Sequence, residues 1–186
     1  MACLAFAVLW LVFVLRYHGP MDARTAVLMA IGWSLLASSP ALAAPARTLA
    51  AQGSWAALKF GDRCEAVSRP LQPAVRHQPE ARAGFSFAAH GSANGQFHVR
   101  LSRVPRAGSS VMLTIGERPF MLVASGDWAW SRGPLQEAAV IDAARAATAM
   151  RVEARDGAGR RFTDRYLLDG APTAIDAAAA GCAGNI

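Results

Sequence analysis

The chain has almost no lysine. Lys59 is the only one, and the other 18 basic residues are arginines. Charged residues make up 17% of its 186 positions, and there are only two tyrosines, four histidines and three cysteines. Each shortage excludes something. Low charge alongside five Trp and eight Phe excludes a disordered chain, because disorder needs high charge and little apolar surface. So few cysteines exclude a disulfide-dense scaffold, and glycine without a repeat excludes a collagen-like one. The basic residues are scattered, with Arg160-Arg161 the only adjacent pair. No basic stripe interleaved with aromatics is present, so no nucleic-acid partner is expected.

Catalytic motifs are also missing. There is no phosphate-binding loop, dinucleotide fingerprint, HExxH or EF-hand loop. No G-x-S-x-G elbow frames a serine, and no CxxC supports thiol–disulfide chemistry. No cofactor is expected. Glu117, Asp142 and Glu153 fall in different predicted elements, so no carboxylate pair for sugar hydrolysis is apparent. The length allows one domain, or one domain with a tail, and a single core of useful size.

What the chain does have is alanine and an apolar start. Alanines number 41, so the 53% hydrophobic content overstates the material available for a core. Residues 2–15 are fourteen apolar positions, short of the about 20 a membrane helix needs. A second pattern begins at Met21: Asp22 and Arg24, an apolar run from Ala26 to Ala37, Pro40, then Ala41-Leu42-Ala43. That is the grammar of a secretory signal over 21–43, with cleavage expected after Ala43. Residues 1–20 read as an extension upstream of the true start at Met21, or as a short membrane segment. The extension is preferred, because a complete signal has no need of a second hydrophobic run. The expected product is periplasmic or secreted, with inner-membrane tethering the alternative if the segment is kept. Any membrane contact would run through that segment alone.

Beyond residue 43 the chain carries 17 Lys and Arg against 12 Asp and Glu. It also keeps two cysteines, Cys64 and Cys182. An even count in an exported chain predicts a disulfide closing a long loop.

Residues 44–53 are Ala/Pro/Gln/Gly-rich and read as a leader ahead of a domain over 54–186. Ser54–Phe60 and Arg63–Ser68 read as strands around a Gly61-Asp62 turn. In Gln96–Ser102, Phe97, Val99 and Leu101 alternate with His98, Arg100 and Ser102, the pattern of a half-buried antiparallel strand. Phe85, Phe87 and Ala89 supply its partner, with Asn94-Gly95 in the turn between them. Val111, Leu113 and Ile115 alternate in the same way, as do Phe120 with Leu122 and Val152 with Ala154; Phe162–Leu168 is the last strand. Pro134 at a first helical position and Glu137 in the first turn predict one helix over about 135–149. A short Ala-rich helix over 173–180 precedes Cys182. About seven short strands at this spacing predict a mainly β domain, an antiparallel sandwich or barrel with one inserted α-helix.

Few residues are candidates for chemistry. His90 and His98 flank a predicted hairpin. With Asp127 as a third ligand they would make a zinc-like site or a small periplasmic hydrolase; two surface histidines on neighbouring strands are the simpler account. Ser92, His90 and Asp127 could form a triad only on paper. The most unusual segment is Gly126-Asp127-Trp128-Ala129-Trp130. Indoles at i and i+2 share one strand face. They either cap an edge of the domain or form an exposed platform for a glycan or partner.

Three stretches carry a resemblance: residues 55–66 (WAALKFGDRCEA), a Trp-led strand followed by an R-C-E strand; Leu101–Phe120, two apolar strands around a tight turn; and Leu135–Leu168, a helix, a strand, a glycine turn and a last strand. In this order they resemble the invasion-associated locus B family of exported bacterial envelope proteins. The resemblance implies an immunoglobulin-like β-sandwich, a periplasmic or outer-envelope location and no established catalytic residues; the role expected of the chain is binding of an envelope or protein partner. The sequence departs from the family in lacking a cysteine soon after Trp55. Ser125-Gly126 also stands where the family has a Gly-Cys pair, which leaves Cys182 as the available partner for Cys64.

Overall fold

The computed structural model describes residues 45–74, 76–88 and 94–183. The expected extension, signal and cleavage site over 1–43 lie outside the described residues, as do His90 and Ser92.

The fold is mainly β. The strands are β1 (Arg47–Gln52), β2 (Trp55–Phe60), β3 (Arg63–Ser68), β4 (Arg82–Ala88), β5 (Asn94–Arg100), β6 (Val111–Ile115), β7 (Arg118–Ser125), β8 (Trp128–Trp130), β9 (Ala149–Arg155) and β10 (Arg161–Leu167); the helices are α1 (Pro134–Ala146) and α2 (Ala171–Cys182). All the strand pairs are antiparallel, in the order β1-β2-β3-β4-β5-β8-β7-β6-β9-β10. Strand β7 joins two groups. Its first part, Arg118–Leu122, pairs with β6, and its last part, Val123–Ser125, pairs with β8.

Alternation along each strand sends one set of side chains inward. Trp55, Ala57, Cys64, Ala66, Ala83, Phe85, Phe97 and Val99 share one face through direct cross-strand register. Leu113, Ile115, Phe120, Met150, Val152, Phe162 and Tyr166 do the same in the other group. These residues form one buried cluster with Val140 of α1 and Ile175 of α2. Phe85, Phe87, Phe97, Val99, Leu101, Val111, Leu113, Ile115, Phe120, Leu122, Val152 and Ala154, expected to alternate onto buried faces, are all buried, and Ala89 lies outside the described residues.

Helix α2 packs on the inner face of β1 to β4. Ala171, Ala174 and Ala178 form its buried stripe with Ile175, so alanine here sets a close helix–sheet distance rather than serving as filler. The expected Cys64–Cys182 disulfide ties the end of α2 to β3, with Cα atoms 5.8 Å apart. The lone lysine, Lys59, donates from Nζ to the Gly181 carbonyl at 2.7 Å, placing a cation where the helix dipole is negative.

The far ends of the strand array also meet. The Trp55 indole N–H donates to the Leu167 carbonyl at 2.8 Å, and the Ser54 amide donates to the Asp169 carbonyl at 3.1 Å. Gly170, at φ 85°, lies where a β-carbon would collide with the Gln52 carbonyl, so only glycine fits.

Several expectations need correction. Residues 47–52, read as leader, form edge strand β1, which pairs with β2 and packs Leu49 against the core; its alanines hide the alternation. Asn94 and Gly95 lie in β5 rather than in the turn, Gly95 at φ 93° beside a register shift in β4. The helix ends at Ala146, not 149, because Ala149 and Met150 pair with Leu167 and Tyr166. The long-range ladder overrides a stretch free of helix breakers. Leu135 at the start of α1 is 91% exposed, and the buried residues of the helix are Glu137, Val140, Ala143 and Ala144. Among the described residues ten strands form where about seven were expected, and the short helix expected over 173–180 runs from Ala171 to Cys182.

Candidate binding face

The opposite face of β2 to β5 and β8 carries the notable chemistry. Strand β8 is three residues long and is joined to β7 through a Gly126-Asp127 turn, with Gly126 at φ 59°. Ala129 points into the core and is fully buried. Trp128 and Trp130 therefore point the other way, and both are half-buried. Their rings are near-parallel, 14° apart, with centroids separated by 6.4 Å. The two sequence readings meet here: the indoles sit at the rim of a depression, partly covered and partly open.

Cross-strand register sets the neighbours. His98 lies opposite Trp130 and Arg100 opposite Trp128. On the other side, Gly84 lies opposite His98 and Arg82 opposite Arg100. The imidazole fills the space that Gly84 leaves free and accordingly is only 5% exposed. Its Nδ1 lies 3.1 Å from the Ser86 hydroxyl, and its ring centroid is 6.0 Å from that of Trp128. Burial lowers the His98 pKa below the usual 6.5; Glu65 opposes that shift, while Arg82 and Arg63 add to it. The ring is therefore neutral at neutral pH.

The charges nearby are mostly matched. Glu65 forms an ion pair with Arg63 at 3.3 Å, and Asp127 accepts a hydrogen bond from Arg100 at 2.8 Å. Arg82 instead lies over Trp128, its guanidinium carbon 5.0 Å from the ring centroid. Arg63, Glu65 and Arg82, with Ser86, Gln96, His98 and the two indoles, line an open depression of about 350 Å³. A second depression, about 540 Å³, shares Glu65 and Arg82 and continues over Leu58, Phe60 and Val67. On the far side of Trp130, Val123 is 52% exposed. The face can thus offer ring stacking, one guanidinium, an amide, a hydroxyl and a carboxylate.

Of the residues singled out from sequence, Trp128 and Trp130 come together, and His98 joins them. Asp127 does not reach His98 as a partner: its carboxylate holds Arg100, while His98 is paired with Ser86. No group of three potential metal ligands occurs among the described residues, and His90 lies outside them. Cys64 and Cys182 lie on the other side of β3, since Cys64 and Glu65 are neighbours on an alternating strand. Sequence reasoning missed Arg82, Gly84, Ser86 and Gln96. Their signal was the period-two set Arg82/Gly84/Ser86 facing Gln96/His98/Arg100, which reads as an ordinary solvent face until β8 is known to lie beside β5.

Compared with family models, with curated proteins and with solved structures, the chain matches none.

Proposed function

We propose that this chain is an exported, non-catalytic protein of the bacterial cell envelope that acts by binding through the Trp128–Trp130 face. One observation carries the reading: two near-parallel indoles remain half-exposed at the rim of a polar depression, although burying an indole is strongly favourable. On the finer reading, the domain is an immunoglobulin-like sandwich of the invasion-associated locus B kind. Strands β1 to β5 with β8 would make one layer, and β6, β7, β9 and β10 the other. The sequence pattern over 55–66, 101–120 and 135–168 supports that membership. The signal grammar before Ala43 supports a periplasmic or secreted location. A partner in the envelope fits a face that combines aromatic anchors with mixed polar groups.

The test is co-sedimentation of the purified full chain with isolated bacterial envelopes. The natural chain is expected in the pellet. A Trp128→Ala/Trp130→Ala double variant of unchanged melting temperature is expected in the supernatant. Equal pelleting of both would overturn the assignment of this face. N-terminal sequencing of the exported form checks the location, with Ala44 expected as the first residue.

A further inference from the structure

The two depressions meet at Glu65 and Arg82 and form one groove across the strands. The charges along it are unequal in a specific way. Arg63 is engaged by Glu65, Arg100 by Asp127, and Arg69 by Glu80 at 3.8 Å. Arg82, at the junction, has no carboxylate within 4.0 Å among the described residues. It rests on Trp128. A guanidinium lying on an aromatic face keeps its in-plane N–H donors free, and their fork matches a planar carboxylate.

The remaining groove chemistry suits sugars. Trp128 and Trp130 are each half-buried, which leaves part of each indole open to the C–H surface of a pyranose. Gln96, Ser86 and Glu65 supply hydrogen-bond partners for hydroxyl or amide substituents. A phosphodiester strand fits poorly, because it carries a charge on every unit and binds through many unpaired cations, whereas this groove offers one.

We infer that the groove binds an oligosaccharide that carries a carboxylated sugar beside a neutral one, the neutral ring stacking on the indoles and the carboxylate engaging Arg82. This rests on the Trp128–Trp130 face being the binding face, and it adds the ligand class.

The test is titration of the full chain, followed by tryptophan fluorescence and calorimetry, with three probes: a hexasaccharide alternating glucuronate and N-acetylglucosamine, the neutral N-acetylglucosamine hexamer, and hexathymidylate. The acidic hexasaccharide is expected to bind about ten-fold tighter than the neutral one. Arg82→Gln is expected to abolish that difference by weakening the acidic probe alone, and Trp128→Ala to weaken both sugars. Equal affinity for the two sugars, or a preference that survives Arg82→Gln, overturns the carboxylate assignment; loss of binding in Trp128→Ala would still support the face. Tighter binding of hexathymidylate overturns the sugar class in favour of nucleic acid. Binding of none of the probes also overturns the sugar class, and envelope co-sedimentation then judges the face separately.

Discussion

Gly84 lies opposite His98 on the neighbouring strand, and the imidazole occupies the space that a β-carbon at position 84 would need. A methyl there would come 2.8 Å from both the His98 Nε2 and the Ala66 carbonyl oxygen. Moving the ring relieves only one of these contacts; the carbonyl belongs to a paired strand, so the backbone must shift as well. Gly84→Ala is therefore expected to destabilise the domain by about 1–3 kcal/mol, the usual cost of overpacking. It should also alter tryptophan emission, because His98 packs beside Trp128. Chemical denaturation with fluorescence detection checks both. An unchanged midpoint and spectrum would mean that His98 does not depend on this space.

The same burial makes His98 a source of acid sensitivity. Its pKa is lowered from 6.5, chiefly by desolvation. A group whose folded-state pKa lies below its unfolded value contributes stability above the unfolded value and loses it as pH falls through the folded one. Stability is thus expected to decline as pH drops below about 6.5. His98→Gln, which keeps a hydrogen-bonding group beside Ser86 but cannot charge, should decline less over that interval. Melting temperatures of the two proteins across pH 7 to 5 would diverge if this holds; parallel curves would assign the acid response to other groups.

Much of the fold was legible because large residues alternate. Phe97, Val99 and Leu101 identify β5, and Val111, Leu113 and Ile115 identify β6, since only a period of two places each set on one buried face. Where alanine replaces large residues the signal vanishes. Arg47–Gln52 and Ala171–Cys182 contain enough alanine to read as a leader and a short helix, yet one is an edge strand and the other a three-turn helix on the sheet. The binding face was half legible. Spacing alone puts Trp128 and Trp130 on one side of a strand. That β8 lies against β5, and so brings His98, Arg82 and Ser86 under the indoles, depends on pairing over some thirty residues, which no local pattern encodes.

Tyr166 offers a test of the core. Its side chain, on β10 opposite Met150 of β9, is fully buried, and its hydroxyl has no hydrogen-bond partner among the described residues. Burial, and the neighbouring Asp164 charge, push its pKa far up, so the hydroxyl stays protonated. An unsatisfied buried hydroxyl costs about 1–3 kcal/mol. Tyr166→Phe removes the oxygen and keeps the ring, and is expected to raise stability by about 1 kcal/mol. A lower midpoint in urea would show that the hydroxyl has a partner in solution, a bound water being the natural one.

The two faces of β3 carry different groups, Cys64 inward and Glu65 toward the groove. Cys64 and Cys182 are 118 residues apart in sequence, so their bond restricts a long loop in the unfolded chain. In the chain-entropy account such a closure contributes on the order of 4 kcal/mol. Cys64→Ala/Cys182→Ala is expected to lose about that much stability, and the natural protein under reducing conditions should behave the same way. The loss should fall first on α2, whose end is also held by Lys59; the hydrogen bond is single and cannot replace the covalent tie. Trp128 and Trp130 lie on β8, on the opposite face from the disulfide. Below the unfolding transition, the double variant should therefore keep the natural tryptophan emission and envelope binding while α2 amides exchange faster. Loss of binding in a variant that remains folded would show instead that the disulfide holds the binding face in shape.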